Sequence, residues 1–287
     1  MRADNRYYTK PPKSMSRLRL AILDLYNGIP NQGMRCIRHI VEQFSDTIEY
    51  DIFDVRAGHE VPDLSYDIYI SSGGPGDPRQ GDGVWEPRWG NWFDSVREHN
   101  ENNDRKKFVF LICHSFQMAV NHLDIAEVTQ RQSLSFGTFP IHITEAGQDD
   151  PIVTGLTDPF TAADFRRFQV IQPRENRMEE LGATIIAIEK DRPHVDLERA
   201  MMAIRWSPEI VGTQFHPEAD AEGMLQHFSR PDIKAEVISE HGREKWINLM
   251  ADLSDKTKIA HTHDAVIPGF LRRAISVLSP QPEVAER

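Results

Sequence analysis

The sequence predicts an α/β fold, a three-layer sandwich around a mostly parallel central sheet, followed by a helical C-terminal extension. Three observations carry this expectation. Short apolar runs suited to buried strands alternate with helix-period patterns over roughly the first 125 residues. Strand signals stop after Glu218, and the remainder of the chain reads as helices. The 287 residues suffice for one large α/β domain with an appendage.

In order along the chain, residues 1–16 are polar, contain Pro11-Pro12 and read as a flexible tail. A main domain is expected over 17–222 and the helical extension over 223–287. Leu18 to Leu25 (LRLAILDL) is a buried strand by composition, and Tyr26 to Gly33 (YNGIPNQG) a loop at its carboxyl end. Met34, Ile37, Ile40, Val41 and Phe44 recur on one face of a helix starting near Gln32. Ile48 to Phe53 and Tyr66 to Ile70 are strands, and Trp89 to His99 is an amphipathic helix with Trp92, Phe93 and Val96 inward. Lys107 to Ile112 is the most strand-like stretch, running into Cys113 and a helix from Phe116 to Leu123. Further strands are expected at Phe139–Ile143, Thr184–Ile188, Met201–Trp206 and Ile210–Gln214. Helices are expected at Ile233–Ser239, Glu244–Leu253 and Phe270–Leu278.

Composition narrows the function. A net charge of −11 argues against a nucleic-acid or anionic-membrane surface. No apolar run reaches the roughly 20 residues of a membrane helix, and the N-terminus lacks the apolar core of a secretory signal. Two cysteines, Cys36 and Cys113, are too few for a disulfide framework. A cytoplasmic location is expected, with neither metal nor cofactor.

Three segments carry chemistry. Ser71 to Pro78 (SSGGPGDP) follows a strand, and consecutive glycines let a ligand approach the main chain and let an N–H face a developing oxyanion. It lacks the pattern of a dinucleotide fingerprint and the lysine of a P-loop. In Phe110 to Gln117 (FLICHSFQ), Cys113 stands between a buried strand and a helix, the arrangement of a nucleophile elbow. A helix N-terminus there favours the thiolate, and the next N–H, that of His114, is a natural oxyanion donor. In Val211 to Glu218 (VGTQFHPE), a strand ends in His216 with a carboxylate two residues on. Such a pair supplies a base for the thiol and a group to hold that base's tautomer. Taken singly, each segment also has an ordinary reading: a Gly-Pro turn, a buried cysteine acting as a small hydrophobe, and a surface turn.

In this order and context the segments resemble the class I glutamine amidotransferases, whose motifs read Gly-Gly-Pro-Gly, Cys-x-Gly-x-Gln and Gln-Phe-His-Pro-Glu. Gly73 to Gly76 and Gln214 to Glu218 match letter for letter, and the resemblance spans about residues 18 to 220. It implies a flavodoxin-like sandwich of the stand-alone GMP-synthetase-glutaminase kind, with Cys113, His216 and Glu218 as catalytic triad. Gly73, Gly74 and His114 would form the oxyanion hole, and Gln117, Phe136 and Gly137 would bind substrate. The implied reaction releases ammonia from glutamine through a Cys113 thioester. A γ-glutamyl conjugate hydrolase with the same triad, or a non-catalytic regulatory homologue, are the alternatives. No ammonia-using synthetase follows within the chain, so ammonia passes to a separate synthetase partner or its release is the purpose.

The elbow departs from the family pattern. Leu111 and Ser115 replace the usual glycines two residues either side of the cysteine, and Leu111 is bulky enough to shift the strand. Trp85, Trp89 and Trp92 read either as a lid over the site or as an anchor beneath a loop. Asn27 to Gly33 is a candidate pocket wall. His241, His261 and His263 lack metal-ligand spacing and read as exposed helix histidines.

Overall fold

A computed structural model describes residues 17–193, 196 and 198–279. The expected N-terminal tail lies outside the described residues. The elements are β1 (Leu18–Asp24), α1 (Gln32–Glu42), β2 (Ile48–Asp54), β3 (Ile68–Ser71), α2 (Trp85–Asn102), β4 (Phe108–Ile112), α3 (His114–His122), β5 (Glu127–Ile143), β6 (Phe160–Ile171), α4 (Glu175–Glu180), β7 (Thr184–Glu189), β8 (Met201–Arg205), β9 (Ile210–Thr213), α5 (Ala221–Ser229), α6 (Pro231–His241), α7 (Arg243–Ser254) and α8 (His261–Leu278).

One nine-stranded sheet runs in the order β2-β1-β3-β4-β9-β8-β7-β5-β6. Pairings from β2 to β9 are parallel; those from β9 onward are antiparallel. Followed across the sheet, these pairings leave only β5 and β8 opposed to the other strands. The strands alternate their side chains between two layers. Leu20, Ile22, Phe108 and Phe110 pack with α1 and α8, whereas Ala21, Leu23, Val109 and Leu111 pack with α2 and α3. The sandwich is therefore three-layered, as its sequence pattern predicts.

Two strands exceed what the pattern shows. β5 begins at Glu127 rather than Phe139, and β6 pairs with it along most of its length. Helix α2 begins at Trp85, and Trp85, Trp89 and Trp92 are all buried in the layer beneath it. The tryptophans are an anchor and not a lid. Trp89 donates its indole N–H to Ser71 Oγ (3.2 Å), tying this anchor to the end of β3.

The helices beyond Glu218 do two different jobs. Val266, Ile267, Phe270, Leu271, Ala274 and Leu278 of α8 belong to the main core, where the Phe270 ring meets Phe110 edge-on with centroids 5.2 Å apart. Helices α5, α6 and α7 instead form a smaller apolar cluster over Phe136, Ala163 and Phe165 of the β5–β6 pair. His263 is accordingly buried, donating to the carbonyl of Glu218 (3.0 Å), and His241 stacks on Phe136 at 4.3 Å. Neither is the exposed helix histidine expected, because both sit on faces that turn inward.

Candidate active site

The elements converge at the carboxyl ends of the parallel strands, where an open α/β sheet places its ligands. Cys113 caps α3 with φ +46° and ψ −91°, a conformation side chains rarely adopt. Its N–H donates to the Thr213 carbonyl (2.7 Å), locking the elbow against β9. Backbone strain held by such surroundings is a frequent mark of a functional residue.

The irregular elbow residues are accommodated without displacement. Leu111 is fully buried and keeps its register with Ser71 and Gly212, so the expected shift of the strand does not occur. The room comes from Gly212, where a Cβ would lie 3.0 Å from that of Leu111. Ser115 accepts the Ile112 N–H (2.9 Å) and donates to the Ser71 carbonyl (2.7 Å). Its hydroxyl thus joins the elbow to the strand that carries the glycine turn.

That turn is fixed from several sides. Ser72 Oγ accepts the Leu25 N–H (2.9 Å) and donates to the Gly73 carbonyl (2.8 Å). Because the peptide is planar and trans, this turns the Gly74 N–H the opposite way. Arg56 holds the Pro75 carbonyl at 2.5 Å. Among the described residues the N–H groups of Gly73, Gly74 and His114 meet no acceptor, leaving them free for a ligand oxygen. A Cβ on Gly73 would lie 3.0 Å from His216 Cε1, and one on Gly74 only 2.6 Å from the Leu25 carbonyl oxygen. Gly74→Ala must therefore displace the turn. If its N–H is an oxyanion donor, kcat falls about 100-fold or more; steady-state kinetics together with an unfolding curve separate this from loss of fold.

His216 reaches the same point from the other side. Its N–H donates to the Ala163 carbonyl of β6 (2.8 Å), and its Nδ1 faces Glu218 Oε1 at 2.8 Å. Burial works against an imidazolium here, but the Glu218 carboxylate and the neighbouring Cys113 outweigh it and hold the His216 pKa well above its usual value. The stability this contributes is fully present below about pH 6.5. It is lost as pH rises through the elevated native value. Glu218→Gln removes the main raising influence, so the pH-dependent contribution should be smaller and its decline complete at lower pH; urea midpoints measured across the pH range check this.

His114 itself stays neutral, its imidazole lowered to about 3 mainly by burial. Its ring is buried and packs against Trp85. Gln117 departs from expectation: its side chain is buried, donates to Gln214 Oε1 (2.8 Å), and does not line the cavity beside Cys113. Gln214 in turn directs its amide N–H at Cys113 Sγ (3.6 Å). The elbow glutamine thus reaches Cys113 through Gln214. The anchoring of Gln117 by a partner 97 positions away leaves no trace in local sequence.

The cavity has a volume of about 550 Å³ and opens on Cys113, His216 and Glu218. Phe136 lines it, whereas Gly137 (φ +115°) does not; Lys245 and Leu249 of α7 cover that glycine. The loop wall is Ile29 and Asn31 to Gly33, the segment expected there. Tyr26, which sequence reasoning passed over, joins it with its hydroxyl close to both Gly33 and Gly73. A Cβ at Gly33 would lie 2.6 Å and one at Gly73 3.1 Å from that hydroxyl, a closeness visible only after folding. Cys36 of α1 lines the same cavity, so the two cysteines share one space despite unlike sequence settings. Burial pushes the Cys36 thiol up to about 12, leaving it protonated and a poor nucleophile.

No helix among the described residues is long and apolar enough to cross a membrane. Residues 21–234 match the family model of glutamine amidotransferase class-I. A glutamine amidotransferase from Thermotoga maritima superposes with a TM-score of 0.65 at 16% identity, covering 92% of this chain and 99% of that one. One from Methylobacillus flagellatus gives 0.62 at 15% identity, with 94% and 98% covered. A candidate GMP synthase subunit from Thermoplasma acidophilum gives 0.51 at 16% identity, with 91% and 98% covered. No curated protein matches the sequence significantly.

Proposed function

Because this chain belongs to the class-I glutamine amidotransferase family, and shares its general amidotransferase–glutaminase type of function, we propose that it hydrolyses γ-glutamyl amides, glutamine being the smallest, through a thioester on Cys113. The observation that carries this reading is the meeting, in one cavity, of a strained cysteine elbow with a His216–Glu218 pair at 2.8 Å. His216 takes the thiol proton, and Cys113 Sγ bonds to the amide carbon. The N–H groups of Gly73, Gly74 and His114 receive the oxyanion. As the tetrahedral adduct collapses, the C–N bond breaks and His216 returns its proton to the departing nitrogen. Water, deprotonated by the same imidazole, then cleaves the thioester and frees glutamate and the thiol. Glu218 holds the imidazole tautomer throughout.

Where ammonia is the leaving group, its user is a separate synthetase chain, a reading supported by the description of the Thermoplasma acidophilum relative as one subunit of a synthase. The testing experiment measures glutamate and ammonia release from glutamine alongside alkylation of Cys113. Release that requires Cys113 supports the proposal. Absence of turnover together with an inert Cys113 would instead mark a non-catalytic homologue.

A further inference from the structure

The cavity beside Cys113 is far from symmetric about the nucleophile. His216, Glu218 and the residues just after them line it, whereas His114 and Gln117, on the elbow helix, do not. This asymmetry has a chemical meaning. The nitrogen that leaves must collect its proton from His216, so whatever is bonded to that nitrogen projects into the space on which His216 opens. Ammonia carries no substituent, and the glutamyl part of the substrate, which shares this space, fills only a fraction of its about 550 Å³, a volume within the range that encloses whole small-molecule ligands.

The walls say what kind of substituent fits. Ile29, Tyr26, Phe136, Phe165, Met224 and Phe228 present apolar and aromatic surface from four separate parts of the chain. Phe136, Phe165 and Phe228 support one another edge-on or stacked, and His241 backs Phe136 from behind. Arg35 is the one arginine or lysine among the lining residues, and it is bound to Asp220. A peptidyl or amino-acid leaving group would bring a second carboxylate, beside the glutamyl donor's own, to walls whose one lining arginine among the described residues is already paired.

Resting on the thioester reading above, we propose that the apolar part of the cavity is a leaving-group pocket and that the substrate is a γ-glutamyl amide of a bulky apolar or aromatic amine. In the balanced step Sγ bonds to the γ-carbonyl carbon, the C–N bond breaks, and the free amine departs with the proton from His216. Water later replaces sulfur on the acyl group, giving glutamate and the free thiol. No oxidant or further reactant is needed. Met224 and Phe228 belong to α5, so the helical extension supplies the far wall of the pocket and sets which amine it accepts.

The test compares γ-glutamyl-benzylamide with γ-glutamyl-methylamide, two alkyl amides of similar intrinsic reactivity, with glutamine assayed in parallel. The benzylamide should show kcat/KM about 10- to 100-fold above the methylamide, the effect of burying a ring of that size. Met224→Ser should shrink that ratio; a variant that merely misfolds would lower both rates and leave the ratio unmoved. A ratio near one, or glutamine turned over faster than both amides in a Cys113-dependent way, would overturn the pocket assignment and leave the thioester reading standing. No turnover of any of the three amides would remove both.

Discussion

Cys113→Ala is expected to lower the rate of glutamate release by at least ~10⁴-fold while leaving the fold intact. Cys113 supplies the only thiol at the elbow, since Cys36 lies on α1 and is held protonated by burial. Alanine leaves the packing around position 113 nearly unchanged, and it leaves the strain as well, because a Cβ is retained at φ +46°. Cys113→Gly should be equally inactive yet more stable by about 1 kcal/mol, glycine alone adopting that conformation without cost. His216→Ala should cost as much as Cys113→Ala, and the double variant little more, because groups acting as one unit are not additive. Pre-steady-state and steady-state kinetics, with urea unfolding of each variant, separate the two effects. A Cys113→Ala protein with wild-type turnover would place the chemistry elsewhere in the chain.

Much of this site is legible in the sequence because its parts lie at strand ends, where an apolar run meets polar residues. The strand Phe108–Ile112 announces Cys113, and Ile210–Thr213 announces His216. The hidden features come from contacts between distant segments. Strand β6 reads FTAADFRRFQVI, and its charges interrupt every apolar pattern. In the fold Arg166 is buried against Asp164 at 2.9 Å and Glu189 at 3.0 Å, so charges that look exposed compensate one another inside. That strand also carries Ala163, whose carbonyl fixes the backbone of His216. The fit of Leu111 is likewise unreadable locally. It depends on Gly212, 101 residues further on but adjacent in the sheet. Gln117 shows the limit of motif transfer: the letter agrees with the family, while Gln214 takes up its amide.

Truncation after Gly223 should abolish soluble, folded protein, although the family's motifs all precede that point. The reason lies in α8. Its Val266, Ile267, Phe270, Leu271 and Leu278 are buried on one face of the sheet, against Phe108 and Phe110 of the strand that leads to Cys113. Uncovering side chains of this size costs about 1.5–3 kcal/mol each, hence about 7–15 kcal/mol for the five. A domain's entire stability is only about 5–15 kcal/mol, so the loss matches what holds the fold together before counting the strand residues exposed in turn. Deleting only α6 and α7 and rejoining the chain with a flexible linker is a milder change, since α8 keeps its place on the sheet. That variant should remain folded with a weakened wall behind Phe136 and Phe228. Circular dichroism and size-exclusion profiles of the two deletions decide the matter. A well-folded chain ending at Gly223 would mean that α8 is dispensable to the core, and that the extension is an independent appendage.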